Sequence, residues 1–412
     1  MVNIVPFKGV RPKTEMVANV SSVPYDVISS EEARDIVTAN KNSFLKVIKP
    51  EVDLDSNIDI YDDSVYETGK KNLRDLVNEK ILIKDPESCF YIYRQQMGEH
   101  IQTGIVAGAS VQDYVDDNIK KHEFTRNEKE IDRTRHIDSL NANTGPVFLT
   151  YHNRESIDKI VNDICQTSPT YDFTVDDGIK HTFWTVNDNT KIQKISQQFS
   201  EVDKLYVADG HHRSAAATRV REKRQQANPL HFGTEPYNFF LSVIFPDNQM
   251  QILAYNRIVK DLNGLSSEEL MHKLETIFNI SETQNPVPQH KHKFCMYLRE
   301  KWYQLECKNS IVEENDPVKS LDVYILQEYV LSPILGIGNP RKDKRIDFVG
   351  GIRGAKALEE GVKKNDDGVG FYLYPVDINS LMAIADAGEV MPPKSTWFEP
   401  KLRSGVVIHP LS

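Results

Sequence analysis

The sequence predicts a mixed α/β (α+β) chain with more than one core, and three observations predict it. Apolar periods of two and of 3.6 residues alternate irregularly along the whole length, the pattern of interleaved strands and helices. No internal repeat and no low-complexity linker breaks that alternation. The length of 412 residues exceeds one ordinary core, at roughly 150 residues per domain. A division into residues 1–260 and 261–412 is expected, because helices and strands alternate afresh after Asn263.

Each element has a local reason. Ser29-Ser30-Glu31-Glu32 has capping-box spacing, so a helix begins there and ends at Asn40. Residues 44–48 read as a strand closed by Pro50, and residues 61–79 as a polar amphipathic helix. Residues 90–95 and 103–111 read as strands, with Met97-Gly98 as the turn between them. Thr125-Arg126-Asn127-Glu128 fits a second capping box, opening a helix that ends near residues 141–145. Residues 204–207 are a short strand, Asp209-Gly210 a turn, and residues 214–226 a helix with an alanine-rich inner face. Residues 237–245 and 251–259 read as a hairpin around Pro246-Asp247-Asn248. Helices are expected at residues 266–278 and 320–329, a glycine-rich turn at residues 348–354, and an irregular tail at residues 391–401 punctuated by Pro392, Pro393 and Pro400.

Composition narrows the function. Fifty Lys and Arg against sixty Asp and Glu give a net charge of −10, which argues against a general nucleic-acid or anionic-membrane binder. The apolar run at residues 239–245 is far short of the ~20 residues of a membrane helix. The opening MVNIVPFKGVRP lacks the charged head and long apolar core of a signal peptide. Cys89, Cys165, Cys295 and Cys307 show no CxxC spacing and suit a reducing compartment. The expectation is a cytoplasmic chain with no nucleic-acid and no membrane partner; a homodimer is compatible with all of this.

The sharpest feature is Asp209-Gly210-His211-His212-Arg213 between a strand and a helix. A helix start offers unpaired N–H groups and a partial positive charge, which favour an anion. Gly210 lets the backbone come close, Arg213 can fork onto a phosphate, and Asp209 can cap the helix or help hold Mg²⁺. The plainer reading is an Asp-Gly turn with surface histidines. Next is Lys121-His122-Glu123, where Glu123 can take a hydroxyl proton near a phosphate and His122 can orient the pocket; a solvated charge run is the plainer alternative. Asp26, in Pro24-Tyr25-Asp26, suits a ligand amine or ties a turn. Arg126, Lys129, Arg133 and His136 fall on one helical face as a basic stripe in an acidic protein. Lys394, Ser395 and Thr396 are phosphate-contact residue types without the glycines of a P-loop. The spacing of His122, His136, His211 and His212 matches no standard zinc motif, and GxSxG is absent.

The ordered set PFKGVRP, VPYDVISSEEA, KHEFTRNEKEIDR, YVADGHHRSAAA, LDVYILQEYVL and MPPKSTWFEPK resembles the bacterial and archaeal domain-of-unknown-function family 1015, from Pro6 to about Gly405. The pair formed by His122-Glu123 and DGHHR is also similar to the ParB/sulfiredoxin-like superfamily and, within it, to the ADP-dependent free-serine kinase. The resemblance implies a ParB/sulfiredoxin-like core with large insertions in residues 1–260 and an added C-terminal α+β region, whose tail at 391–401 returns to the active site. It implies Glu123 as the base beside His122. Asp209, Gly210, His211, His212 and Arg213 become the phosphate cradle, joined by Lys394, Ser395 and Thr396. Cofactors would be Mg²⁺, held in part by Asp209, and ADP or ATP; the substrate would be serine or phosphoserine, its charged ends met by Asp26, Arg126, Lys129 and Arg133. The chain departs from the kinase in a long insertion between the two motifs and in extra N- and C-terminal parts. Three readings follow: a nucleotide-linked phosphotransferase on serine or phosphoserine, a phosphoserine phosphatase that needs no nucleotide, and a ParB-like nucleotide-gated switch.

Overall fold

A computed structural model describes residues 1–365 and 367–412, and the chain divides into two units: Met1–Met250 with Pro400–Ser412, and Gln251–Glu399. The division falls ten residues before the expected one, and the last residues return to the first unit. The reason is that residues 251–259 pair outside the first sheet.

The first unit is built on strands β1 (Ile4–Val5), β2 (Phe90–Met97), β3 (His100–Ser110), β4 (Ile119–Lys120), β5 (Val147–Tyr151), β6 (Tyr171–Thr174), β7 (Lys180–Val186), β8 (Leu205–Asp209) and β9 (Phe239–Pro246). Among the described residues they form one nine-stranded sheet in the order β4-β8-β5-β9-β3-β2-β7-β6, with β1 against the end of β3. The sheet is mixed: β8 is parallel to β4 and β9 to β5, while the other neighbours are antiparallel. Met97 pairs with His100, so the β2–β3 turn is the two residues Gly98-Glu99, with Gly98 at φ 59°. Every residue of β9 is buried, as a central strand covered on both faces requires. That explains why the expected hairpin does not form. β9 already has β3 and β5 as partners, so the chain leaves through a short turn at Asp247–Gln249 and its next strands pair elsewhere.

Helices α1 (Ser30–Ala39), α2 (Asp63–Asn78), α3 (Asn127–Leu140), α4 (Glu155–Cys165), α5 (Asn189–Phe199) and α6 (His211–Ala227) complete the unit. Ile157 and Ile164 of α4 and Ile195 and Phe199 of α5 join Phe90, Ile105, Leu149 and Val207 in one core, each burial contributing roughly 1.5–3 kcal/mol. The capping box of α1 forms as read: Ser29 accepts from the Glu32 N–H and Glu32 accepts from the Ser29 N–H. That of α3 does not. Its helix starts at Asn127 with no side-chain cap on Arg126, and the Thr125 hydroxyl donates instead to Glu130, one turn further on. Residues 44–48 are a helical turn at Leu45–Ile48 rather than a strand. Phe44, Leu45, Val47 and Ile48 are all buried, so the run carries no periodicity to distinguish the two.

The second unit has its own antiparallel sheet. Its strands are β10 (Tyr255–Val259), β11 (Phe278–Glu282), β12 (Lys293–Leu298), β13 (Lys301–Cys307), β14 (Ile346–Gly350) and β15 (Val369–Tyr372), in the order β11-β13-β12-β15-β10-β14 among the described residues. A core of Ile258, Tyr297, Trp302, Leu358 and Tyr372 packs beneath it. Gln251–Leu253 pairs with Trp397–Glu399 in this unit, so most of the tail motif lies here.

Candidate functional site

The end of β8 and the start of α6 meet at Gly210, whose φ of 104° turns the strand directly into the helix. Arg213 N–H and Ser214 N–H both reach the Gly210 carbonyl, at 2.9 and 3.0 Å. The N–H groups of His211 and His212 precede these first bonds of the turn and point out of the helix end. The sequence reading began α6 at residue 214. The helix takes in His211 and Arg213 as well, both of them buried.

Segment 122–126 packs against this helix start at two points. The rings of His122 and His211 meet edge to face, centroids 4.5 Å apart, and the Arg126 N–H donates to His212 Nε2 at 3.1 Å. Glu123, partly buried, follows His122 directly and so stands between the two anchors. The Val207 backbone of β8 acts on the His122 ring, whose Nδ1 is buried with no partner. His211 Nε2 is likewise buried with no partner. Burial, outweighing the charge of Asp209, lowers His122 to about 4. Burial and then the neighbouring His122 hold His211 well below its usual range. Both rings are therefore neutral near pH 7. A neutral His122 ring has one acceptor nitrogen, and with Nδ1 in that role it can take a hydroxyl hydrogen. His212, lowered to about 4 by burial and then by the charge of Arg126, is neutral too, and its Nε2 is spent on the clamp. Its place among the phosphate contacts is thereby reduced to one remaining ring nitrogen.

Asp209 sits between two cations. Lys401 Nζ lies 3.2 Å from its Oδ2 and an Arg213 guanidinium nitrogen 3.5 Å from its Oδ1. Burial raises the Asp209 carboxyl, yet Lys401 and Arg213 outweigh it and hold the group well below the carboxylate range. Arg213 also donates to the Pro146 carbonyl. A carboxylate already neutralising two cations does not fit a divalent-cation ligand, and no cluster of three His, Cys, Asp or Glu side chains suits a metal among the described residues. The positive charge here is protein-borne: Lys401, Arg213 and the helix end.

Lys401 was missed by sequence reasoning. It closes the tail motif MPPKSTWFEPK, where Lys394, followed by two hydroxyl residues, is the more conspicuous phosphate-type lysine. The backbone explains Lys401's place: buried Gln95 of β2 donates to the Lys401 carbonyl at 2.8 Å, and buried Gln102 of β3 bonds Gln95 at 3.0 Å. Lys394, Ser395 and Thr396 belong to the second unit, where the Ser395 hydroxyl donates to the Pro392 carbonyl at 2.6 Å and Arg257 donates to the Lys394 carbonyl at 3.0 Å.

The other expected residues separate. Asp26 is exposed and its charge acts on His212, so it stands near the helix start. Arg133 is bonded to Asp132 at 2.8 Å and lies over the Tyr25 ring at 4.2 Å. It lines, with Tyr25 and Arg213, a cavity of about 30 Å³, room for about one water. Lys129 faces away, to the Tyr61 hydroxyl at 3.3 Å. His136, the last of the stripe, is buried in the core against the Val47 carbonyl at 2.9 Å. The stripe thus splits into exposed Arg126 at the helix start, half-buried Arg133 lining a small cavity with Arg213, and two residues engaged elsewhere.

The first unit is thus a mixed α/β fold in which a strand runs through glycine into a helix start, with neutral histidines and two cations around it. The model of a family of proteins of unknown function, DUF1015, matches residues 4–324, and the chain belongs to that family. Among curated proteins none matches the chain. Among solved structures the chain is similar to SbnI with a C-terminal truncation from Staphylococcus aureus, at 12% identity over 73% of this chain and 85% of that one, with a TM-score of 0.39. It is similar to a free serine kinase variant in complex with AMP at 15% identity, over 68% of this chain and 84% of that one, with a TM-score of 0.35. A conserved hypothetical protein from Pyrococcus furiosus follows at 15% identity, over 68% of this chain and 87% of that one, with a TM-score of 0.32. Likenesses of this degree say nothing of function.

Proposed function

We propose that this protein is a phosphotransferase that moves a phosphoryl group between a nucleotide, ADP or ATP, and free serine. One observation carries the reading: two buried histidine nitrogens without partners, His122 Nδ1 and His211 Nε2, stand at a glycine-opened helix start with Glu123 chained beside them. Buried polar atoms are normally satisfied, so this pair at a helix start suits a polar ligand or an ordered water. The choice of serine rests on the similarity of the His-Glu and DGHHR motifs to the free-serine kinase.

In the forward direction the serine hydroxyl attacks the terminal phosphorus of the nucleotide. Its Oγ–P bond forms, the bridging P–O bond breaks, and the hydroxyl proton passes to Glu123. His122 Nδ1 accepts from the incoming hydroxyl and orients it. The His211 and His212 N–H groups, the helix end, Arg213 and Lys401 meet the charge on the transferring group and on the departing nucleotide. Lys401 serves this role by exchanging part of its contact with Asp209 for the phosphate. The reverse direction uses the same groups.

Phosphorus NMR on the purified chain tests the reading, with serine plus ATP, serine plus ADP, phosphoserine plus ADP, and phosphoserine alone. A phosphoserine resonance in a serine–nucleotide sample, or a new nucleotide phosphate from phosphoserine plus ADP, is expected. Inorganic phosphate from phosphoserine alone would convert the reading to a phosphatase, and silence in all four samples would end it.

A further inference from the structure

The first unit has another cavity, of about 550 Å³, within the ~300–1,000 Å³ of small-molecule sites. None of its lining residues belongs to the turn at 209–213 or to segment 122–126. Phe7, Pro236, Phe239 and Pro410 give it apolar walls. Lys8 and Lys84 also line it, both exposed, and neither makes an ion pair with a carboxylate among the described residues. Two side-chain carboxylates nearby are engaged: Asp85 takes Arg11 at 2.9 Å and the Tyr91 hydroxyl at 2.8 Å, and Glu235 takes the Phe232 and Gly233 N–H groups at 2.7 and 2.9 Å. The lysine charges are therefore not cancelled from those sides.

His409 forms part of the wall. It is 2% exposed, its ring meets Phe7 edge to face at 4.7 Å, and its Nδ1 has no hydrogen-bond partner. Burial lowers it to about 4, so it stands as a neutral ring with a spare polar atom. Apolar walls and two lysines that make no ion pair among the described residues suit an amphipathic ligand. An apolar body would replace water on the phenylalanines and prolines, and a negative head would meet the lysines.

We propose that this cavity is a second small-molecule site, which takes an anion with an apolar body and a carboxylate or phosphate at one end. It stands independently of the phosphotransferase reading. The probe is anilinonaphthalene sulfonate, titrated by fluorescence into the full chain. The expected result is saturable binding of one probe per chain, displaced by octanoate and by octyl phosphate but not by octanol at the same concentration, and not by ADP. The Lys8→Glu/Lys84→Glu double variant, whose exposed positions leave the fold intact, is expected to bind the probe at least about tenfold more weakly with an unchanged melting temperature. Displacement by the two anions in different degree tells carboxylate from phosphate, and either supports the site. Unsaturable binding, equal displacement by octanol, displacement by ADP, or unchanged affinity in the double variant would overturn it.

Discussion

Gly210 shows most directly how one residue type sets the site. At φ 104° a side chain is strained, and a Cβ there would come within 3.2 Å of the Arg213 guanidinium. Gly210→Ala is expected to cost about 1–3 kcal/mol in urea unfolding, and to weaken nucleotide binding by displacing Arg213. An unchanged midpoint would mean that the turn tolerates a side chain and is not tightly built. Much of the site was legible at this scale, because Asp209 to Arg213 and His122-Glu123 are contiguous in sequence and their chemistry is written in residue types. Lys401 was not, since its position depends on Gln95 and Gln102, some three hundred residues earlier. His212 was read as a phosphate contact. Its bond to the Arg126 N–H was invisible, because no spacing rule joins residues 126 and 212.

At the scale of elements, periodic segments were legible and uniformly apolar ones were not. α1 carries a capping box and a clear polar face, and it forms where the sequence places it. The turn at Leu45–Ile48, buried except at Lys46, and the central strand β9, buried throughout, have partners decided by tertiary pairing rather than by pattern. In the second unit a short helix, Asp322–Leu326, begins with a buried carboxyl. Burial raises Asp322 to about 7, although the His292 N–H, 2.9 Å from its Oδ1, pulls the other way; its Oδ2 has no partner. A carboxyl raised from the usual 3.8 stabilises the folded state while protonated, and that contribution fades as pH rises towards about 7. Asp322→Asn is therefore expected to raise the melting temperature of this unit at pH 8 by roughly 2–8 °C and to leave it nearly unchanged at pH 4. Scanning calorimetry at the two pH values checks this, and equal shifts at both would refute the titration.

At the scale of the whole molecule, the acidic balance of −10 coexists with positive charge gathered by folding at Lys401, Arg213 and a helix end. Composition excludes a basic surface but cannot disclose such a gathering. The first unit also buries His122, His136, His181 and His409 and half-buries His212, each lowered by burial from 6.5 to between about 3 and about 4. The unfolded chain takes up these protons near pH 6.5 and the folded chain only near pH 4. Stability is thus full above 6.5 and lost progressively as pH falls towards 4, by up to ~1.4 kcal/mol per pH unit for each histidine. Urea unfolding between pH 7 and pH 4 is expected to show a steep fall, and a flat profile would contradict the burial of these rings.

Proton transfer from serine to Glu123 at the helix start of α6 is the step on which the proposed activity turns. It is tested most directly by comparing single-turnover phosphoryl transfer to radiolabelled serine in the wild-type chain and in Glu123→Gln, with the nucleotide dissociation constant measured for both. Transfer by the wild type is expected, with a rate lower by about 10²–10⁴ in the variant and nucleotide affinity within about threefold. A variant that transfers at the full rate, or a wild type that binds nucleotide and transfers nothing, would contradict it.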